Sequence, residues 1–228
     1  MDTPQTSELL ERRAKLSSAI EQARADAFLT TFLPNCRYLS GFTGSNAALL
    51  ISPNRSVLFT DPRYEIQAPQ EADCEVRIAK GSLTAEVAKW VNRLKIRVLA
   101  FEPQHITFEA HKGLKSALPG IRLKPLANTV ERLRMVKSED EIEAIRVSVH
   151  LNSRALEQAL RRFKPVMTEM DLAAEIEFRM RRLGAERPSF ETARPMGWCC
   201  DELAGAVRVL TPRRVGDAGA WRRHRRLR

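Results

Sequence analysis

The stretch YLSGFTGSNAALLISPNRSVLFTDPRYEIQA, residues 38–68, decides the fold. Two apolar runs, Ala47–Ile51 and Val57–Phe59, flank the turn-forming group Pro53-Asn54-Arg55-Ser56, which is the signature of a β-hairpin. Asp61-Pro62 follows at once and supplies an N-cap and a first-turn proline, so a helix is expected through RYEIQAPQEA, stopping near Pro69. The glycine-rich run Gly41–Ser45 just before the hairpin lacks the Gly-Lys-Ser/Thr ending of a phosphate loop and the strand-to-helix setting of a dinucleotide fingerprint. It reads as a turn.

Working outward, residues 7–25 carry an N-terminal helix that leads into DAFLTTF, a short buried strand with Phe28, Leu29 and Phe32. Beyond the hairpin, CEVRIA alternates as a strand, and LTAEVAKWVNRLK places Leu83, Val87, Trp90 and Leu94 on one helical face. IRVLAFE is another buried strand, and TFEAHKGLKSAL is a helix that Pro119-Gly120 breaks. Strands alternating with helices define an α/β domain over residues 7–127.

A second unit, 136–192, opens with the capping box Ser138 and Glu141 on a long helix whose apolar stripe is Ile142, Ile145, Val149, Leu156, Leu160 and Phe163. Pro165 ends it. Thr168 and Asp171 form a second box, on a helix carrying Leu172, Ile176, Met180 and Leu183 to a stop at Gly184. Two helices do not close a core, so this unit expects a sheet to pack against, and poor solubility follows if none is present.

Several chemical signals have plain explanations. His105 and Glu109 are one helical turn apart without a third ligand, whereas a metal site needs three or four. His111 and His150 sit among polar helical residues and read as surface histidines. The acids Glu139, Asp140 and Glu141 occupy the first turn of a helix, where the macrodipole favours them. Cys36, Cys74, Cys199 and Cys200 show no zinc spacing and no disulfide framework, and are expected reduced. No apolar run nears the ~20 residues of a membrane span, and the N-terminus lacks a signal-peptide pattern, so the cytoplasm is the expected compartment.

The net charge of +10 over 228 residues is unevenly placed. Residues 193–228 hold nine arginines, no lysine and three acids, leaving 29 basic against 25 acidic side chains in residues 1–192. The body is nearly balanced. The change at 193 reads as an Arg-rich tail, disordered and non-native, with the bias of G- and C-rich codons; its expected affinity for nucleic acid is non-specific.

Four separated motifs, YLSGFTGSNAALLI, VLFTDPRYEIQA, RMVKSEDEIEAIRVSVHLNSRAL and GAERPSFET, resemble in order and spacing the aminopeptidase P, Xaa-Pro dipeptidase and creatinase family over residues 7–192. The resemblance implies a creatinase-like N-terminal α/β domain, a linker over residues 128–135, and then the opening helices of a pita-bread catalytic domain. It also implies hydrolysis of the peptide bond preceding proline, with two manganese-like divalent ions held by two aspartates, a histidine and two glutamates. The N-terminal domain in such proteins supports oligomerisation and limits substrate length, so a homo-oligomer and proline-containing peptides are the expected partners.

After SFET this chain departs from the family pattern. Asp217-Ala218-Gly219-Ala220 echoes the first metal motif, but no second aspartate, histidine or glutamate segment follows. The expectation is therefore a truncated relative without catalytic, cofactor or metal residues of its own. A non-catalytic interaction module with a nucleic-acid- or acid-binding tail is the alternative, and a peptidase completed in trans by a second chain is the third.

Overall fold

The computed structural model describes residues 4–186. The chain divides into two compact units, one up to Val136 and one from Lys137 onward.

The first unit is built on a six-stranded sheet in the order β4-β3-β2-β1-β5-β6. The strands are β1 (Ala27–Thr30), β2 (Ala47–Ser52), β3 (Arg55–Thr60), β4 (Glu75–Ile78), β5 (Val98–Phe101) and β6 (Arg122–Pro125). The hairpin pairs Ser52 with Arg55, so its loop is Pro53-Asn54 alone. Only β2 runs against the others, because β1 pairs β5, β5 pairs β6 and β3 pairs β4 in parallel.

Helices cover both faces. Leu16 and Ile20 of α1 (Pro4–Gln22), with Cys36 and Leu39 of α2 (Leu33–Ser40), pack on Phe28, Leu49, Ile51 and Leu58. On the opposite face, α4 (Leu83–Arg93) and α5 (Phe108–Ala117) cover Leu29, Leu50, Val57 and Phe59. The stripe expected on α4 is observed, with Val87 and Trp90 buried and Leu83 and Leu94 packed partly against the core. Because the central strands are buried on both faces, β1 and the centre of the hairpin are apolar without alternation.

Four local expectations need correction. Phe32 lies beyond β1 as the N-cap residue of α2, a helix that begins with Pro34 in its first turn and stops at Gly41 (φ 83°). Asp61 does cap Pro62, but the turn there is a short 3-10 helix, Pro62–Tyr64. The α-helix α3 (Gln67–Glu71) then contains Pro69 in its first turn, where a missing N–H costs nothing, so the proline does not stop it. Residues 128–135, expected as a linker, hold α6 (Thr129–Met135), whose fully buried Val130 packs into the core of the first unit.

In the second unit, α7 (Glu139–Leu160) and α8 (Glu169–Arg182) both carry complete capping boxes, Ser138 with Glu141 and Thr168 with Asp171. Glycine ends the pair, Gly184 lying at φ 104°. The residues buried here are small, namely Ala155, Ala159 and Ala173. The expected stripe is largely outside: Ile145 is 50% exposed, Leu156 44% and Leu160 52%. The tail from residue 193, with Cys199, Cys200 and Asp217–Ala220, lies outside the described residues.

Candidate functional site

Two polar clusters in the first unit are built with more care than packing alone requires. The first joins the glycine-rich loop to the segment after β3. Gly41 closes α2 in the left-handed region, and a Cβ there would stand 2.9 Å from the Glu71 carbonyl oxygen. At Gly44 a Cβ would come within 2.2 Å of the Phe42 ring and 2.9 Å of the Tyr64 ring. Phe42 is buried and meets Tyr64 edge to face, with centroids 5.3 Å apart. The loop therefore runs from a helix into a strand as a turn, without the geometry of a phosphate cradle.

Hydrogen bonds fix its rim. Ser45 donates its backbone N–H to the Tyr64 hydroxyl at 3.0 Å, and the two hydroxyls lie 2.7 Å apart; these bonds from Ser45 hold the phenol below its ordinary range. Asp61 accepts from the Arg63 guanidinium at 2.9 and 2.8 Å and from the Asn46 amide at 2.7 Å, which together keep its carboxyl well below the usual carboxylate value. Glu71 accepts from the Thr43 N–H and hydroxyl and from Gln67; burial opposes its ionisation but these donors prevail, leaving it lowered. The result is a hydrogen-bonded rim in which Thr43, Ser45 and Arg63 are exposed and Asp61, Tyr64 and Glu71 are partly buried.

The second cluster lies past the carboxyl ends of β1 and β5. Glu102 is 3% exposed and accepts from the Thr30 hydroxyl at 2.5 Å and the Asn35 amide at 2.6 Å. Burial raises the Glu102 carboxyl above its ordinary value despite these two donors. The same Asn35 amide donates to Glu131 at 2.8 Å, and Arg134 donates to the Asn35 carbonyl at 2.9 Å. Glu131 also takes the ring nitrogen of His105 at 2.7 Å, and the imidazole stacks on Phe32 with centroids 3.7 Å apart. Burial works against Glu131 ionisation, but Asn35 and His105 bring it below its usual value.

This network joins β1, α2, β5 and α6 and satisfies its own polar atoms. His105 is paired with Glu131, and Glu109 is exposed elsewhere on α5. His111 is half-buried against Phe101, with centroids 5.1 Å apart, which corrects its reading as a surface residue; His150 is exposed as expected. Glu139, Asp140 and Glu141 lie in the first turn of α7. Cys36 and Cys74 are free thiols, pushed up by burial to about 12 and about 11. Among the described residues no group of three or more His, Cys, Asp or Glu side chains is arranged to hold a metal ion, so the two-ion centre implied by the resemblance finds no fitting residues there. Nor is any helix among them long and apolar enough to cross a membrane.

Sequence reading missed Thr30, Asn35, Glu102 and Glu131. The one local signal was an acid, Glu102, set directly after the apolar strand residues Val98–Phe101.

This fold is shared with known proteins. Residues 12–136 match the Creatinase/Prolidase N-terminal domain, and residues 143–205 match Metallopeptidase family M24. The chain belongs to the creatinase/prolidase family. It is 34% identical over 206 residues to the uncharacterized peptidase YqhT of Bacillus subtilis, an alignment covering 86% of this chain and 58% of that protein. The Xaa-Pro dipeptidase from Bacillus anthracis superimposes with a TM-score of 0.76 at 33% identity, over 80% of this chain and 51% of that one. The N-terminal domain of the cytoplasmic peptidase PepQ from Mycobacterium tuberculosis superimposes with a TM-score of 0.50 at 38% identity, over 54% of this chain and 98% of that one. The chain thus spans between half and three fifths of the length of the curated relatives it matches.

Proposed function

We propose that this chain is the N-terminal, substrate-limiting and associating half of an Xaa-Pro metallopeptidase, without hydrolytic activity of its own. The observation that carries this reading is the paired match: a whole creatinase/prolidase N-terminal domain, then only the opening of the M24 domain, at 33% identity to half of an Xaa-Pro dipeptidase. The family's two aspartates, histidine and two glutamates belong to segments beyond SFET, and the chain offers only Asp217 in a comparable setting. Proline-containing peptides are the substrate class of the intact enzyme, and the rim of exposed Arg63 and Ser45 with partly buried Tyr64 is suited to contact their polar ends. A cytoplasmic location agrees with the relation to PepQ.

Incubation of the purified chain with an Ala-Pro dipeptide and manganese tests the reading. The expected result is no turnover above a metal-only blank and no stoichiometric ion by elemental analysis. Manganese-dependent cleavage with two ions per chain contradicts it. Nine arginines among residues 193–228 favour a second reading, a nucleic-acid-binding tail, for which binding must show sequence preference as well as steep salt dependence.

A further inference from the structure

Strands β1 and β5 lie side by side and parallel, and the chain leaves them in opposite directions: α2 follows β1 onto one face of the sheet, and α5 follows β5 onto the other. Such a divergence opens a crevice at the carboxyl ends of the two strands, the place where open α/β sheets bind ligands. Here the crevice is furnished with donors. Asn35 comes from α2, and the turn Glu102-Pro103-Gln104-His105, closed by a 3.3 Å bond from the His105 N–H to the Glu102 carbonyl, brings two more back over the strand ends.

Those donors converge on one carboxylate. The Asn35 amide reaches one Glu131 oxygen at 2.8 Å, the His105 Nε2 reaches the same oxygen at 2.7 Å, and the Gln104 amide reaches the second oxygen at 3.2 Å. A carboxylate only accepts, so the His105 Nε2 carries the proton. Two of the donors are themselves positioned. Arg134 donates to the Asn35 carbonyl at 2.9 Å and so turns the amide of this fully buried residue toward Glu131, and the His105 imidazole lies within 4° of parallel to the Phe32 ring. Glu102, which shares the Asn35 amide, is pushed toward its neutral form by burial and to a smaller extent by Glu131, so the donors serve a single negative charge.

The carboxylate they hold comes from elsewhere in the chain. Glu131 lies on α6, after the last strand, and α6 docks beside α2 through fully buried Val130. Its side chain therefore reaches the donors from an element outside the strand–helix units that furnish them, as a ligand does.

We propose that the crevice at the carboxyl ends of β1 and β5 is a carboxylate-binding site occupied in cis by Glu131, and that a small free monocarboxylate competes for it. The tether gives Glu131 a high effective concentration, so the free acid displaces it weakly in the unaltered chain and binds openly once that side chain is removed. The inference rests on the geometry of the first unit and does not depend on the proposed activity.

Saturation-transfer NMR and thermal melts of the full chain with sodium acetate test it, using Glu131→Ala, which removes the acetate-sized end of the side chain and keeps its Cβ. The expected result is that the acetate methyl takes up saturation from Glu131→Ala and far less from the unaltered chain. Acetate also raises the melting temperature of the variant saturably, by roughly 3–6 °C at ten times the half-saturating concentration. Acetamide, of the same shape without the charge, and sodium chloride at equal ionic strength do neither. Glu131→Gln, whose amide fills the same space, does not respond to acetate. Adding His105→Ala to Glu131→Ala weakens acetate binding about tenfold or more. If Glu131→Ala does not fold in chloride, refolding by acetate but not by acetamide reads the same effect. No response to acetate, a response matched by acetamide or by the unaltered chain, or one that His105→Ala leaves unchanged overturns the proposal.

Discussion

The two units use their apolar residues in opposite ways. In the first, Phe28, Leu49, Leu50, Leu58 and Phe59 are enclosed between helices on both faces of one sheet. In the second, two well-capped helices bury alanines between them and leave Ile145, Val149, Leu156, Leu160 and Phe178 about half exposed. Good helix signals, with capping boxes, a long apolar stripe and a glycine stop, are present in the second unit without a core of large side chains among its described residues. Local consistency builds an element; burial needs a partner surface, and about 25 cal/mol per Å2 of apolar area is forgone where none is present.

That contrast can be broken most sharply by truncation. Phe59→Ala or Leu49→Ala, at fully buried positions in the sheet, should cost the first unit about 3–5 kcal/mol, whereas Leu156→Ala on α7 should cost under about 1 kcal/mol. Urea midpoints followed by circular dichroism measure both. Equal losses would mean that the stripe is as enclosed as the sheet.

The glycine loop provides the next effect. Gly44→Ala drives a methyl into the Phe42 ring and should destabilise the first unit by about 1–3 kcal/mol, while Gly113→Ala, with open space around it, should be neutral or slightly stabilising. Thermal melts of the two variants decide this. Smaller still, Ser138→Ala and Thr168→Ala should each remove about 1 kcal/mol of helix stability from the second unit and leave the sheet's unfolding unchanged.

A pH dependence sharpens the comparison from the first unit's side. The Glu102 carboxyl is raised in the fold, so its contribution to stability is fully present below the unfolded-state value and is lost as pH rises through the raised value. Glu102→Gln keeps the acceptor for Asn35 and removes the ionisation, and should flatten the fall in stability that sets in as pH rises above the ordinary carboxylate value. Asp61 runs the other way: its lowered carboxyl contributes above the ordinary value, and that contribution disappears as pH drops through the folded value. Denaturant midpoints at stepped pH for the two variants, Glu102→Gln and Asp61→Asn, separate the opposite slopes.

The hairpin was legible because Pro53-Asn54 separates two strand-forming runs, and the capping boxes because their residues are adjacent in sequence. Strand β6 was not foreseen: Arg122-Leu123-Lys124-Pro125 is short, polar and proline-ended, as an edge strand tends to be. Helix α2 carried its signals, Pro34 at the start and Gly41 at the stop, but is only eight residues long and was given no reading of its own; the turn expected at Gly41–Ser45 follows it. The network of Thr30, Asn35, Glu102 and Glu131 had no local signature, because its members come from four elements and the sheet order alone brings them together. The motifs quoted for the family are contiguous in sequence, two of them running through the hairpin and its flanking turns and a third through the start of α7, which is why the family was readable before the network was.

Amide hydrogen exchange on the full chain tests the central contrast most directly. The amides of β1, β2, β3 and β5 should exchange only through global unfolding of the first unit, and those of α7 and α8 should exchange orders of magnitude faster, through local opening. Protection of α7 and α8 equal to that of the sheet would contradict the account, since it would show that the second unit's apolar stripe is covered.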